Sequence, residues 1–243
     1  MKRLAHYSQY FLRSPRLVKE LVGHSSISKQ DIVYDIGAGS GVISSVLAER
    51  SRQVIAVEPE PRMAQKLRAN MADHPNVKIY QGDFLTMPLP HSPYKVFANI
   101  PFHLSSPIIR RLTEAEYVPT AVYLIVQKQF ANKLLSDSDG FTGQLGMQIG
   151  PWFSVRIRRR LQRTDFWPHP NVDTVLVEII PRNEPLLPKE RREAYYRFTV
   201  ECFSDPKKLA KLPLAKAGLG TDIRPSRLTL EDWLRLFAVQ HVY

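Results

Sequence analysis

Apolar and polar positions switch repeatedly between two periods from Asp31 onward. DIVYDIG (31–37), QVIAVEPE (53–60), VKIYQGD (77–83), YKVFANI (94–100) and TAVYLIVQ (120–127) are short apolar runs with the length and β-branched content of buried strands. GVISSVLAERS, PRMAQKLRANMA and PIIRRLTEAE lie among them with the three-to-four residue spacing of amphipathic helices. Strands alternating with helices predict parallel strands joined by crossovers, an open doubly wound sheet. Ahead of this block SPRLVKELVGH predicts a helix with Ser14 as cap and Pro15 at its first position.

The pattern changes after residue 150. PWFSVRIRRRL and TVLVEIIP are two β-rich runs around the turn-rich QRTDFWPHPNVD, which suits an antiparallel hairpin at a sheet edge. RNEPLLP then reads as a linker, and the remainder as about three amphipathic helices. The expected organisation is a Rossmann-like catalytic domain over 1–182 and a small all-helical domain over 183–243. In the latter Tyr195, Tyr196 and Phe198 are expected core residues.

Charge alters this picture in one respect. The formal net charge is +11, of which residues 1–182 carry +8 and residues 183–243 carry +3, so a polyanionic partner is expected on the larger part. RIRRRLQR (156–163) concentrates Arg156, Arg158, Arg159, Arg160 and Arg163 without an acid, as phosphate contacts require; Arg110 and Arg111 would extend that surface, and KRL at the N-terminus and Lys207 and Lys208 would add to it. The bland alternative is a solvated outer face of an edge strand. Cys202 is the single cysteine and is expected to be a core thiol. No apolar run approaches the roughly 18 residues that cross a bilayer, and no leader-like apolar region opens the chain, so a soluble cytoplasmic protein without membrane or obligate protein partner is expected.

The candidate chemistry sits at the strand ends. DIGAGSG (35–41) follows a strand and opens a helix, where an α/β sheet binds nucleotides. Glu58 ends the next strand, placed to hold ribose hydroxyls. The glycines fall at 37, 39 and 41, and Val42 occupies the last position of a dinucleotide fingerprint, which disfavours a pyrophosphate. Asp83 and Phe84, in GDF, offer a carboxylate and a ring to an adenine. With Asp35, Glu58 and Asp83 expected as an acidic rim, a cationic cofactor without phosphates fits better: S-adenosylmethionine, with no metal.

The fourth strand of the block ends in NIPF, Asn99 to Phe102. An exocyclic amino group conjugated to a purine is a poor nucleophile, so a site must orient its lone pair. The Asn99 side-chain oxygen and the Ile100 carbonyl can each accept one of its N–H groups, Pro101 stiffens the turn, and Phe102 gives the base a stacking surface. A paired adenine cannot reach such a pocket, so the target must be unpaired or flipped out.

At these residues the chain resembles the Erm family of ribosomal RNA adenine N6-methyltransferases. The resemblance runs through SQYFL, DIGAGSG, VEPE, GDF, NIPFHLSSPIIRRL, FWPHPNVDT and RPSRLTLEDWLRLF. It implies the fold of class I methyltransferases, with S-adenosylhomocysteine as product. The implied substrate is an adenine of large-subunit rRNA near the peptide exit tunnel, with macrolide, lincosamide and streptogramin B resistance as the outcome. It implies cofactor contacts at Tyr10, Leu12, Gly37, Glu58, Asp83 and Asn99, with Gly39, Gly41 and Phe84 adjoining, and enclosure of the adenine between Phe102 and Phe166. Tyr10 replaces the family's usual Asn, and Phe102 stands where many relatives have Tyr. The small-subunit dimethyladenosine transferases share the glycines and an NLPY motif usually followed by Asn; here His103 follows, which favours Erm. A non-catalytic RNA-binding or transcription factor on the same fold is the alternative of another class, and a nicotinamide oxidoreductase ranks last.

Overall fold

The computed structural model describes residues 10–12, 14–136, 141–220 and 223–240. In chain order the strands are β1 (Phe11–Leu12), β2 (Ile32–Ile36), β3 (Gln53–Glu58), β4 (Val77–Gln81), β5 (Lys95–Asn99), β6 (Ala121–Gln127), β7 (Phe153–Leu161), β8 (Phe166–Trp167) and β9 (Thr174–Pro181). The helices are α1 (Pro15–Gly23), α2 (Val42–Arg50), α3 (Pro61–Asn70), α4 (Ser105–Glu114), α5 (Lys128–Leu134), α6 (Gln144–Ile149), α7 (Arg192–Ser204), α8 (Pro206–Ala210) and α9 (Leu230–Gln240).

The large sheet has strand order β4-β3-β2-β5-β6-β9-β7, with β4 through β6 parallel and β9 antiparallel to β6. This is the predicted doubly wound sheet, with β9 antiparallel to β6 and β7 outermost beside it. The strand order reverses between β2 and β5, so a crevice opens beyond their carboxyl ends, where ligands bind in such sheets. Val33, Val54, Ala56, Phe97, Tyr123 and Ile125 are fully buried and knit the sheet to its helices. Local signals fix where the helices begin: Ser14 accepts a bond from Leu17 N, and Glu60, ahead of Pro61, accepts from Arg62 N and Met63 N. Cys202 is buried as expected, and burial pushes its thiol up to about 11.

A second, two-stranded ribbon pairs β1 with β8, with Phe11 opposite Trp167 and Leu12 opposite Phe166. The pattern of apolar positions does not reveal it, because two residues are too short a run to show a period.

The chain forms two compact units. The first runs through Lys128 and resumes over Arg156–Ile180; the second holds Gln129–Val155 and the chain from Pro181 on. The division therefore differs from the expected 1–182 and 183–243, because residues 129–155 belong with the C-terminal helices. Within that second unit Arg182 N donates to Trp152 O at 2.8 Å, Leu186 N to Pro151 O at 2.8 Å, and the Trp152 and Tyr195 rings meet edge-on. Tyr195 and Phe198 are core residues, while Tyr196 is half-buried. Among the described residues no helix is long and apolar enough to cross a membrane.

Candidate active site

The turn after β2 reverses direction on residues that only glycine tolerates without strain. Gly37, Gly39 and Gly41 have φ of 71°, 57° and 96°, in the left-handed region. Gly37 and Gly39 face a pocket; Gly41 faces inward instead, and a methyl group on it would stand 2.7 Å from Leu67 Cδ1 and 2.9 Å from Met71 Cε. Gly41 thus lets α2 close against α3, and its expected place among cofactor contacts is corrected to a packing one.

The pocket beyond β2 and β5 is lined by Tyr10, Phe11, Leu12, Gly37, Gly39, Glu58, Asn99, Ile100, Pro101 and Phe102, with Ala38, Ser40, Val42 and Ile43 completing its walls. Nine of the predicted positions meet here. Phe11, Ala38, Ser40, Val42 and Ile43 were not among the expected cofactor contacts; for the last four the signal was their place within and directly after the glycine turn. Glu58 is 1% exposed at the end of β3. Its Oε2 accepts from Gly39 N at 2.8 Å and its Oε1 from Glu60 N at 2.9 Å. Each oxygen keeps a second lone pair for a hydroxyl donor. Among the described residues the lining carries one carboxylate and no Lys or Arg. A pocket of glycine backbone, apolar side chains and a fixed negative charge fits S-adenosylmethionine, which is cationic at sulfur and lacks phosphate.

Asn99 ends β5, and its Nδ2 donates to the Tyr10 carbonyl at 2.6 Å. This bond sets the orientation of the amide: with the NH2 end held by backbone, Oδ1 is left as the acceptor. Tyr10 therefore contributes through its main chain, which any residue could supply. Its ring lies 5.3 Å from that of Phe102, tilted by 32°. Ile100 is buried at 2% exposure, and Leu104 N donates to Pro101 O, closing the short turn that presents the motif. His103 is exposed.

Four expectations meet a different geometry. Asp35 is fully buried below the glycine turn, where Ser44 Oγ donates to its Oδ2 at 2.6 Å, so it is no part of a solvent-facing acidic rim. Burial pushes its carboxyl up to about 7, helped by the nearby charge of Glu58 and opposed by the Ser44 bond. Asp83 lies at the same end of the sheet but outside the pocket lining; it is exposed, and its Oδ1 accepts from Leu85 N at 2.9 Å in a side-chain-closed turn. Phe84 is 3% exposed and lies under the Arg111 guanidinium, 5.8 Å from its ring centre. Phe166 is fully buried in the core with Leu12, not open to an incoming base.

The arginines divide as well. Arg111 donates to the Met87 carbonyl and so ties α4 to the loop after β4, a structural task that removes it from the expected RNA surface. Arg110 pairs with Glu114 at 3.2 Å. On β7, Arg156 pairs with the buried Glu178 at 3.1 Å, Arg158 approaches the same carboxylate at 3.8 Å and donates to His24 O, and Arg159 pairs with Glu20 at 2.6 Å. Arg163 pairs with Asp173 at 3.1 Å. Arg160 is exposed and, among the described residues, forms no ion pair. The five still present a cationic edge, because among the described residues three carboxylates, Glu178, Glu20 and Asp173, answer them. Lys207 and Lys208 are exposed in the second unit, and the N-terminal KRL lies outside the described residues.

A family model described as ribosomal RNA adenine dimethylase matches residues 2–212. Over 244 residues the chain is 30% identical to an rRNA adenine N-6-methyltransferase of Saccharopolyspora erythraea; the match covers 95% of this chain and spans 64% of the length of that relative. It is 25% identical to ribosomal RNA small subunit methyltransferase A of Streptococcus thermophilus, over 95% of this chain and 89% of that protein. The crystal structure of the 23S rRNA methyltransferase ErmE superposes with a TM-score of 0.82 at 29% identity, covering 95% of this chain and 100% of that one.

Proposed function

The chain belongs to the ribosomal RNA adenine dimethylase family, whose members are S-adenosylmethionine-dependent rRNA adenine N6-methyltransferases, and on that premise we propose that it methylates N6 of one extruded adenine in large-subunit 23S rRNA, with macrolide-lincosamide-streptogramin B resistance as the consequence. The observation that carries the chemistry is the Asn99 amide, locked by the Tyr10 carbonyl so that Oδ1 is the group offered to the pocket. S-adenosylmethionine, when bound, supplies an activated methyl group. Glu58 holds the ribose hydroxyls, and Gly37 and Gly39 let the backbone approach the cofactor. Asn99 Oδ1 and the Ile100 carbonyl accept the two N–H bonds of the adenine amine, which turns its lone pair toward the methyl, and Phe102 stacks on the base.

This is alignment by fixed dipoles, with no strong base required. Such alignment is worth several kcal/mol of barrier. The choice of large-subunit RNA is supported by the closeness to ErmE in both sequence and fold and by His103 after NIPF. The likeness to the small-subunit enzyme of Streptococcus thermophilus supports the second reading, dimethylation of small-subunit rRNA.

Methyl transfer to naked 23S and 16S rRNA transcripts separates the two. Label is expected in 23S rRNA, at a single adenine mapped by primer extension; label in 16S rRNA alone would reverse the choice. In the same assay Asn99→Ala should lower kcat by about two to three orders of magnitude, the scale of a lost oriented hydrogen bond, with RNA affinity nearly unchanged.

A further inference from the structure

The β1–β8 ribbon has two faces, and the chemistry above gives no role to the outer one. Residues directly opposite in an antiparallel pair point to the same side, and successive residues to opposite sides. Leu12 and Phe166 accordingly fill the core, at 6% and 0% exposure, while Phe11 and Trp167 stand together on the other face at 39% and 59%. Trp167 is the most exposed of the large apolar side chains described. The inner pair belongs to the core, and the outer pair keeps a substantial exposed surface.

Location and surroundings indicate the use. Phe11 also lines the pocket, its ring lying against Gly39, and cross-strand pairing places Trp167 one strand farther from the pocket mouth. The Trp167 ring meets His169 edge-on at 5.9 Å, and His169 Nδ1 lies 3.0 Å from the carbonyl of Arg163. Two aromatic surfaces beside a cationic strand form the combination on which unpaired nucleobases stack while their phosphates are held. We propose that Phe11 and Trp167 form a stacking platform for the unpaired nucleobase that neighbours the target adenine. The proposal rests on the reading that the substrate is RNA, and it gives Trp167 a contact with the neighbouring base, distinct from the target-adenine contact expected of Phe166.

Trp167 provides its own reporter. The other two tryptophans, Trp152 and Trp233, are 7% and 0% exposed, so quenching of intrinsic fluorescence by an added base reports Trp167. Full-length protein titrated with oligoadenylate should lose emission, whereas an abasic oligomer with the same number of phosphates should leave it unchanged. Trp167→Phe should remove the response while keeping most of the affinity for a 23S rRNA transcript. Trp167→Ala should weaken that affinity roughly 10- to 100-fold without altering its salt slope, since no phosphate contact is lost. Equal quenching by the abasic oligomer, quenching that persists in Trp167→Phe, or wild-type RNA affinity in Trp167→Ala would each overturn the platform. Failure of methyl transfer to either rRNA with base-dependent quenching intact would overturn the proposed activity alone. Normal methyl transfer without quenching would overturn the platform alone.

Discussion

Asp35 ends up far from the role its position in the sequence suggests. A carboxylate just before a glycine turn reads as a rim residue, yet alternation along β2 turns it under α2, against Ser44. The distinction between a rim and a buried carboxylate depends on where the next helix lies, which local sequence does not encode. The consequence is measurable. With an ordinary value of 3.8 and a folded value of about 7, the folded chain keeps a proton there that the unfolded chain has released across that window. Stability from this group is therefore fully present below about pH 4, falls as pH rises toward about 7, and is flat above, by on the order of 2–4 kcal/mol in total. Asp35→Asn keeps an acceptor for Ser44 and removes the titration. Thermal melts at pH 5 and pH 8 should show the wild-type protein losing more stability between the two than the variant; parallel losses would contradict the assignment. Glu58 and Asn99 were readable because strand ends at a switch point are fixed by topology. The bond that orients Asn99 was not, since its partner is the carbonyl of a residue 89 positions away.

Strand β7 was legible as a cationic edge but not as a set of individual arginines. Period-2 alternation sends Arg156 and Arg158 toward Glu178 and Arg159 toward Glu20, while the long Arg158 side chain also reaches the carbonyl of His24 at the end of α1. Neither acid is near these arginines in sequence. Five equivalent phosphate contacts therefore become one cation, Arg160, without an ion pair among the described residues, and four that exchange a protein partner for a phosphate. Arg160→Ala should lower the slope of log affinity against log salt for 23S rRNA by about 0.7–0.9, one phosphate contact. Arg159→Ala should lower it less and cost no more than about 1 kcal/mol of stability, because its pair with Glu20 is about half exposed on both sides. Filter binding across a salt series checks both, and equal slopes for the two variants would place the RNA path elsewhere. The β1–β8 ribbon marks the limit of pattern reading, for its register comes from a pairing of residues more than 150 apart.

At the scale of the molecule the doubly wound sheet was legible almost entire, whereas the membership of residues 129–155 was not. Helices α5 and α6 span seven and six residues, fewer than two turns each, too short for an apolar stripe to declare itself. Their place is set by partners within the second unit. Thr142 N donates to Ser226 O at 3.0 Å, Thr142 Oγ1 to Leu228 O at 3.0 Å, and Arg182 Nε to Gly150 O at 2.8 Å. The fit is close: a methyl on Gly146 would lie 2.5 Å from Lys133 O, and one on Gly150 would lie 3.0 Å from a Leu230 methyl. A protein ended at Arg182, the boundary that charge and prolines suggest, would keep 129–155 and remove Tyr195, Ser226, Leu228 and Leu230 from around it. Trp152 and the buried positions Met147 and Ile149 would then face water. Losing the cover of several large apolar side chains costs about 1.5–3 kcal/mol each, comparable in sum with the stability of a domain. The shortened chain should bind an apolar dye, aggregate on concentration and melt well below the full-length protein. A monodisperse 1–182 protein melting with the full chain would show that residues 129–155 hold their fold without the C-terminal helices.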